Sequence, residues 1–272
     1  MSNHQPIAAL QACALSLGYS QRQVIEGLDL AIPHACITVL VGSNGCGKST
    51  LLRALARLIA PRRGSVLLDG ADIHRLPTTA VAKRLSILPQ SPLAPDGISV
   101  HQLVRLGRYP HQTWRQQWSR QDEAQVDLAL RRTGLHALRD RVVDTLSGGQ
   151  RQRAWIAMVL AQGADTLLLD EPTTYLDLAH QIDVLDLLAE LHAQERKTIV
   201  MVLHDLNLAS RYADHMVMLR EGRIHAQGRP RDVLTVSAVK AVFDLDSRIV
   251  TDPVAGTPLC VPISRARRAG PG

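Results

Sequence analysis

Residues 42–50 read GSNGCGKST, and this stretch limits the fold more than any other part of the chain. An apolar, β-prone run, ACITVL at residues 35–40, leads straight into it. Apolar residues at helical spacing follow: Leu51, Leu52, Leu55, Leu58 and Ile59. A strand that feeds a helix through Gly-x-x-x-x-Gly-Lys-Ser is the setting in which this turn acts as a phosphate loop. Gly42, Gly45 and Gly47 let the backbone turn and approach an anion closely. The loop amides, with those of Ser43, Asn44, Cys46 and Thr50 among them, then form a nest reinforced by the helix N-terminus. Lys48 brings a positive charge to β and γ phosphates, and Ser49 offers a hydroxyl to Mg²⁺. Cys46 has two readings: a thiol activated by the helix N-terminus, or a small side chain whose backbone does the binding. The second is favoured.

The remaining composition narrows the class. The chain has 272 residues, 46% of them hydrophobic but only 3% aromatic, so its core is aliphatic, as suits buried parallel strands covered by helices. No run reaches the roughly 18 apolar residues that span a bilayer, and residues 1–10 lack a signal-peptide pattern. A soluble, cytoplasmic chain is expected. Four cysteines, at 13, 36, 46 and 260, show no CxxC spacing, and His34 with Cys36 is too thin a pair for a zinc site. The net charge is +6, with arginines spread over residues 105–153 and a knot at Arg265, Arg267 and Arg268. No aromatic series interleaves them, so nucleic acid is not an expected partner.

Three other apolar runs end in polar residues. TLLLD at 166–170 ends in Asp170 and is followed by Glu171, RLSILP at 84–89 delivers Gln90, and TIVMVL at 198–203 delivers His204 and Asp205. Ligands bind at the C-terminal ends of strands in open α/β sheets. On an extended chain Asp170 and Glu171 point apart and can hold separate roles: Asp170 to Mg²⁺, Glu171 to the attacking water. Gln90 can touch both metal and water, and His204 can donate to the γ-phosphate. These strand ends with the phosphate loop make a coherent site.

A second glycine loop, LSGGQ at 146–150, precedes another helical pattern, so Ser147, Gly148 and Gly149 form a further anion site at a helix start. One chain cannot easily wrap a nucleotide from both sides. A two-fold dimer can, if each copy closes its second loop over the nucleotide of the other.

At this point the chain strongly resembles the ATP-binding subunits of ABC transporters over nearly its whole length. GSNGCGKST resembles Walker A, LPQ the Q-loop, LSGGQ the signature, LLLDEP Walker B, YLD the D-loop and LHD the switch histidine. The resemblance implies ATP and Mg²⁺ as ligands, with Tyr19 stacked on adenine. Residues 42–50 bind ATP in cis, and Ser147, Gly148, Gly149, Gln150 and Asp177 bind it in trans. Glu171, His204 and Gln90 are catalytic, and Ser49, Gln90 and Asp170 face Mg²⁺. It also implies a P-loop NTPase fold with a RecA-like α/β core, an antiparallel β-subdomain and an α-helical subdomain. On that plan residues 1–90 and 164–230 form the core and β-subdomain, 91–163 the helical subdomain, and 231–272 a C-terminal extension. Helices are expected over 99–107 and 120–134 with a loop, GRYPHQTW, between them. A short helix and a β-like end are expected beyond residue 230.

Longer matches, such as LGRYPHQ and DEPTTYLDLAHQIDVLDLL, resemble the ATPases that drive import of ferric siderophores and, more loosely, of vitamin B12 and haem. Ser43 departs from the usual Pro, and Tyr175 stands where many ABC ATPases have a small residue. The resemblance implies a homodimer at the cytoplasmic face of the inner membrane, docked on integral membrane permease subunits and served by a substrate-binding protein. An exporter ATPase, a soluble ABC ATPase outside transport and a nucleotide-gated scaffold are the alternatives. Glu171 argues against the scaffold. The absence of coiled-coil inserts argues against the soluble enzyme.

Overall fold

The computed structural model describes residues 8–20, 22–113 and 117–264. The basic knot at 265–268 and the end of the GRYPHQTW loop lie outside them. The chain divides into two compact units, Met1–Asp72 with Val200–Gly272, and Ile73–Ile199.

The first unit opens with β1 (Leu10–Tyr19) and β2 (Arg22–Ile32), antiparallel, with Leu10 opposite Ile32 and Tyr19 opposite Arg22. Leu15, Leu17, Ile25, Leu28 and Leu30 turn inward, as one buried face requires. Next comes β3 (Ile37–Gly42), buried at every position, which is why its sequence is an unbroken apolar run. It starts later than the apolar run because Ala35 makes a left-handed turn (φ 47°), and it extends to Gly42 itself.

Then follow α1 (Lys48–Leu55), β4 (Arg63–Leu68) and β5 (Ala71–Asp72). The antiparallel sheet has the order β2-β1-β4-β5. α1 is shorter than its apolar spacing predicts. Arg57 turns left-handed (φ 61°), its N–H donates to the Ala54 carbonyl, and that of Leu58 donates to Arg53. This is a Schellman end without the usual glycine, and it leaves Leu58 outside the helix and 61% exposed.

The second unit contains α2 (Thr78–Ala82), β6 (Leu85–Leu88), α3 (Val100–Leu106), α4 (Arg120–Arg132), α5 (Gly148–Ala161), β7 (Thr166–Asp170) and α6 (Leu178–Glu195). β6 and β7 are parallel, with Leu85 opposite Thr166 and Leu88 opposite Leu169. α3, α4 and α5 match the expected helical stretches. α3 and α4 each open with a capping box, Ser99 with Gln102 and Ser119 with Asp122.

LGRYPHQ supplies the tie between these helices. The Arg108 guanidinium donates to Asp122 Oδ1 at 2.8 Å and to the Ala161 carbonyl at 2.8 Å, and His111 Nε2 lies 2.8 Å from the Gln162 carbonyl. A cation therefore meets the carbonyl end of α5, and the same cation pairs with a carboxylate in the first turn of α4; both are favourable helix-dipole placements. Burial pushes the Asp122 carboxyl up, but hydrogen bonds from Ser119 and Arg108 outweigh it and hold it below the usual range.

β8 (Thr198–Val202) is the strand at which the division between units falls. The chain then re-enters the first unit. α7 (Leu206–Tyr212) is capped by Asp205, which accepts from the Asn207 and Leu208 amides. β9 (His215–Arg220) runs parallel to β3 with Gly42 opposite Leu219, and β10 (Arg223–Gly228) returns antiparallel. α8 (Pro230–Val233), α9 (Val236–Phe243) and the hairpin of β11 (Ser247–Thr251) and β12 (Pro258–Pro262) complete the chain, as expected beyond residue 230. Asn207 clamps the hairpin, donating to the Cys260 carbonyl and accepting from its amide. Arg211, with the Val254 and Ala255 amides, holds the Asp252 carboxyl at about 2.

The Arg108 and Asp122 side chains are only 5% and 7% exposed, so removing one strands the other. Arg108→Ala should therefore cost about 3–5 kcal/mol of unfolding free energy in urea titration. Replacing both residues by apolar ones of similar volume should cost less.

Candidate functional site

The phosphate loop belongs to the first unit. β3 ends at Gly42, whose backbone runs so close to β9 that a Cβ there would sit 2.3 Å from the Leu219 carbonyl oxygen and 2.8 Å from Cys46 Sγ. Only glycine fits. Lys48 is 6% exposed, and its ammonium donates to the Gly42 carbonyl at 2.9 Å and the Ser43 carbonyl at 3.0 Å. The charge is thus held over the loop by neutral oxygens, which offset its desolvation and leave it uncompensated by any carboxylate among these contacts. α1 begins directly after Gly47, which has no side chain with which to cap the helix. An uncapped helix start, a sequestered cation and amides of an open loop are the donor set a polyphosphate needs.

One other predicted residue sits beside this loop, and one lies within it. Tyr19, at the end of β1 and 47% exposed, has its hydroxyl 3.5 Å from Thr50 Oγ1. The side chain is within reach of the start of α1 with its ring open. Cys46 is 4% exposed, and burial pushes its thiol up in spite of Lys48. That is the opposite of an activated thiolate and agrees with the backbone reading of Cys46. His204 lies just beyond β8 and is exposed, while Asp205 beside it is engaged as the cap of α7.

The second unit holds the acidic cluster. β7 delivers Asp170, 1% exposed, at its end. Glu171 is not on extended chain: it turns left-handed (φ 54°), so the alternation expected of an extended pair does not hold at Asp170 and Glu171. Tyr175, 91% exposed, does the same (φ 66°). Such backbone costs energy and is concentrated at functional loops. Glu171 Oε2 accepts from Gln90 Nε2 at 2.7 Å and from Thr174 Oγ1 at 2.9 Å. Gln90 and Glu171, 81 positions apart, are therefore brought together by the parallel pairing of β6 with β7. Thr174 was not foreseen; its only signal is a hydroxyl three residues after Glu171, in position to close a tight turn.

The second glycine loop starts α5. Ser147 Oγ accepts from the Gln150 amide at 3.3 Å, and Gln150 Oε1 accepts from the Ser147 amide at 3.2 Å. Ser147 and Gly148 are exposed, whereas Gln150 is occupied as half of a capping box. Asp177 caps α6 and is exposed; His180, likewise not foreseen, binds it.

The fold and these two clusters define a nucleotide-binding P-loop protein. A family profile described as "ABC transporter" matches residues 25–174. The chain is 59% identical over 261 residues to the achromobactin transport ATP-binding protein CbrD of Dickeya dadantii, covering 96% of this chain and 97% of that one. It is 50% identical over 261 residues to the ferric enterobactin transport ATP-binding protein FepC of Escherichia coli, covering 96% of each. Among solved structures, one described as a metal-chelate type ABC transporter in an inward-facing conformation superposes with a TM-score of 0.83 at 29% identity, over 95% of this chain and 99% of that one. The chain belongs to the ABC transporter family, as an ATP-binding subunit that hydrolyses ATP.

Lys48→Ala should remove ATP binding itself, because the buried cation of the loop is lost. Calorimetry that returned near-parental affinity would refute this role for Lys48.

Proposed function

We propose that this subunit powers import of ferric siderophores through integral membrane permease subunits, as a homodimer on the cytoplasmic face of the membrane. The observation that supports this most directly is end-to-end similarity, at 50–59% identity, to subunits named for achromobactin and ferric enterobactin transport. Among the described residues no helix is long and apolar enough to cross a membrane. In this reading the permease subunits form the translocation path. A substrate-binding protein would deliver the cargo to that path.

In this reading residues 42–50 bind the phosphates of ATP, Tyr19 meets the adenine, and Ser49, Asp170 and Gln90 are the oxygen donors for Mg²⁺. Bound Mg²⁺ would supply neutralisation of phosphate charge. Glu171 holds and deprotonates water, and the Gln90 and Thr174 bonds fix which of its oxygens is already engaged. His204 donates to the γ-phosphate. Ser147, Gly148, Gly149, Gln150 and Asp177 serve the nucleotide of the second copy. Gln150 does so through the cap it completes on α5. A cavity of about 400 Å³ beside Gln90, lined also by Leu146, Arg151, Trp155 and Tyr175, is where a permease segment would press and sense Gln90.

Glu171→Gln should still bind ATP but hydrolyse it roughly 10²–10⁴-fold more slowly, as loss of a general base entails. It should accumulate as an ATP-bound dimer on size exclusion, and a strictly monomeric ATP-loaded form would count against the two-copy site. Cells lacking the subunit should lose uptake of radiolabelled ferric siderophore while uptake of unrelated solutes continues. Undiminished siderophore uptake would exclude the assigned cargo.

A further inference from the structure

His180 joins the two elements that the preceding reading assigns to the partner's nucleotide. It is the third residue of α6, and its backbone amide donates to Asp177 Oδ1 at 2.9 Å. Its ring Nδ1 lies 2.6 Å from the same oxygen. An ordinary helix cap needs only the first of these bonds. The His180 amide and then its ring hold the Asp177 carboxyl below the usual range, so Asp177 is a carboxylate and Nδ1 carries the proton between them.

The other edge of the same ring lies against the start of α5. A Cβ built on Gly149 would sit 2.3 Å from His180 Cδ2, 2.9 Å from Cγ and 3.0 Å from Nε2. Gly149 is buried, and the ring fills the space that any larger residue would need. Beside it, a Cβ on Gly148 would be 3.9 Å from Leu176 Cδ2, an ordinary packing distance. The second glycine of LSGGQ therefore lies in close contact with a histidine farther along the chain, whose ring, 38% exposed, would have to move to admit a larger residue.

We propose that His180 is a positioning residue that couples the anion-binding start of α5 to Asp177 within one chain. The imidazole has one edge bonded to Asp177 and the other packed on Gly149. A shift of either element displaces the ring and is transmitted to the other. The two elements offered to a second copy are thus presented in one fixed spacing. This inference rests on the two-copy reading of the site.

The test uses the full chain in the Glu171→Gln background, where ATP-driven dimerisation can be followed by analytical ultracentrifugation. Adding His180→Ala should weaken the ATP-bound dimer about tenfold, within the usual range of coupling between sites. ATP affinity of the dilute monomer and the melting temperature should stay close to parental, which also shows that the variant is folded. His180→Asn, which keeps an N–H donor near the Nδ1 position but loses the edge packed on Gly149, should recover only part of the loss; full recovery would show that the Asp177 bond alone matters and overturn the coupling. Gly149→Ala should weaken the dimer where His180 is intact and add much less on top of His180→Ala, because there is no ring left to displace.

Undiminished dimerisation of the His180→Ala form overturns the inference alone. So does an equal loss of monomer ATP binding, which would mark His180 as merely structural. If the Glu171→Gln parent does not dimerise with ATP, the two-copy reading and the inference fall together.

Discussion

The phosphate chemistry of this chain depends on a place where two backbones nearly touch. β3 and β9 pair in parallel until Gly42 faces Leu219, and at that point there is no room for a side chain. The strand cannot continue with an ordinary residue, so it turns into the loop with the Gly42 carbonyl directed at Lys48. One contact thus ends the strand, excludes every residue but glycine and anchors the cation. The helix that follows begins on Gly47 with no cap of its own, which leaves its positive end for a ligand.

The acidic end of the second unit is built by the same rule with different chemistry. Two parallel strands end side by side, and their polar termini meet because the register of β6 against β7 requires it. The cost appears in the backbone: Glu171 and Tyr175 both adopt left-handed conformations without being glycine. Thr174, between them, closes the turn by donating to the carboxylate that the turn presents. Arg108 does comparable work at the far end of α5, where it holds the Ala161 carbonyl of the helix whose first residues follow Ser147.

Much of this was legible in the residues. β3, the strand ends at Gln90, Asp170 and His204, the helices α3, α4 and α5 and the C-terminal hairpin follow from apolar runs, periodicity and punctuation. What was not legible is of two kinds. Arg57 ends α1 in a conformation that glycine usually marks, so the apolar spacing of Leu58 and Ile59 misled. The second kind is contact between distant positions: Arg108 with Ala161, Gln90 with Glu171, Gly149 with His180. None has a period or a neighbouring signal, because each exists only after helices and strands have packed. The extended geometry expected for Glu171 failed for the same reason, since the turn is imposed by what it must reach.

The capping box at the start of α5 restricts the chemistry of Ser147 further. A hydroxyl that accepts from the Gln150 amide still owns a proton that it can donate. Aspartate would cap the helix as well as serine does, but it would bring a negative charge and no hydrogen to give. The helix itself is therefore indifferent to a substitution that an incoming anion would reject. In the proposed two-copy site, aspartate at position 147 would separate the two demands: the helix would keep its cap and the phosphate would lose a donor.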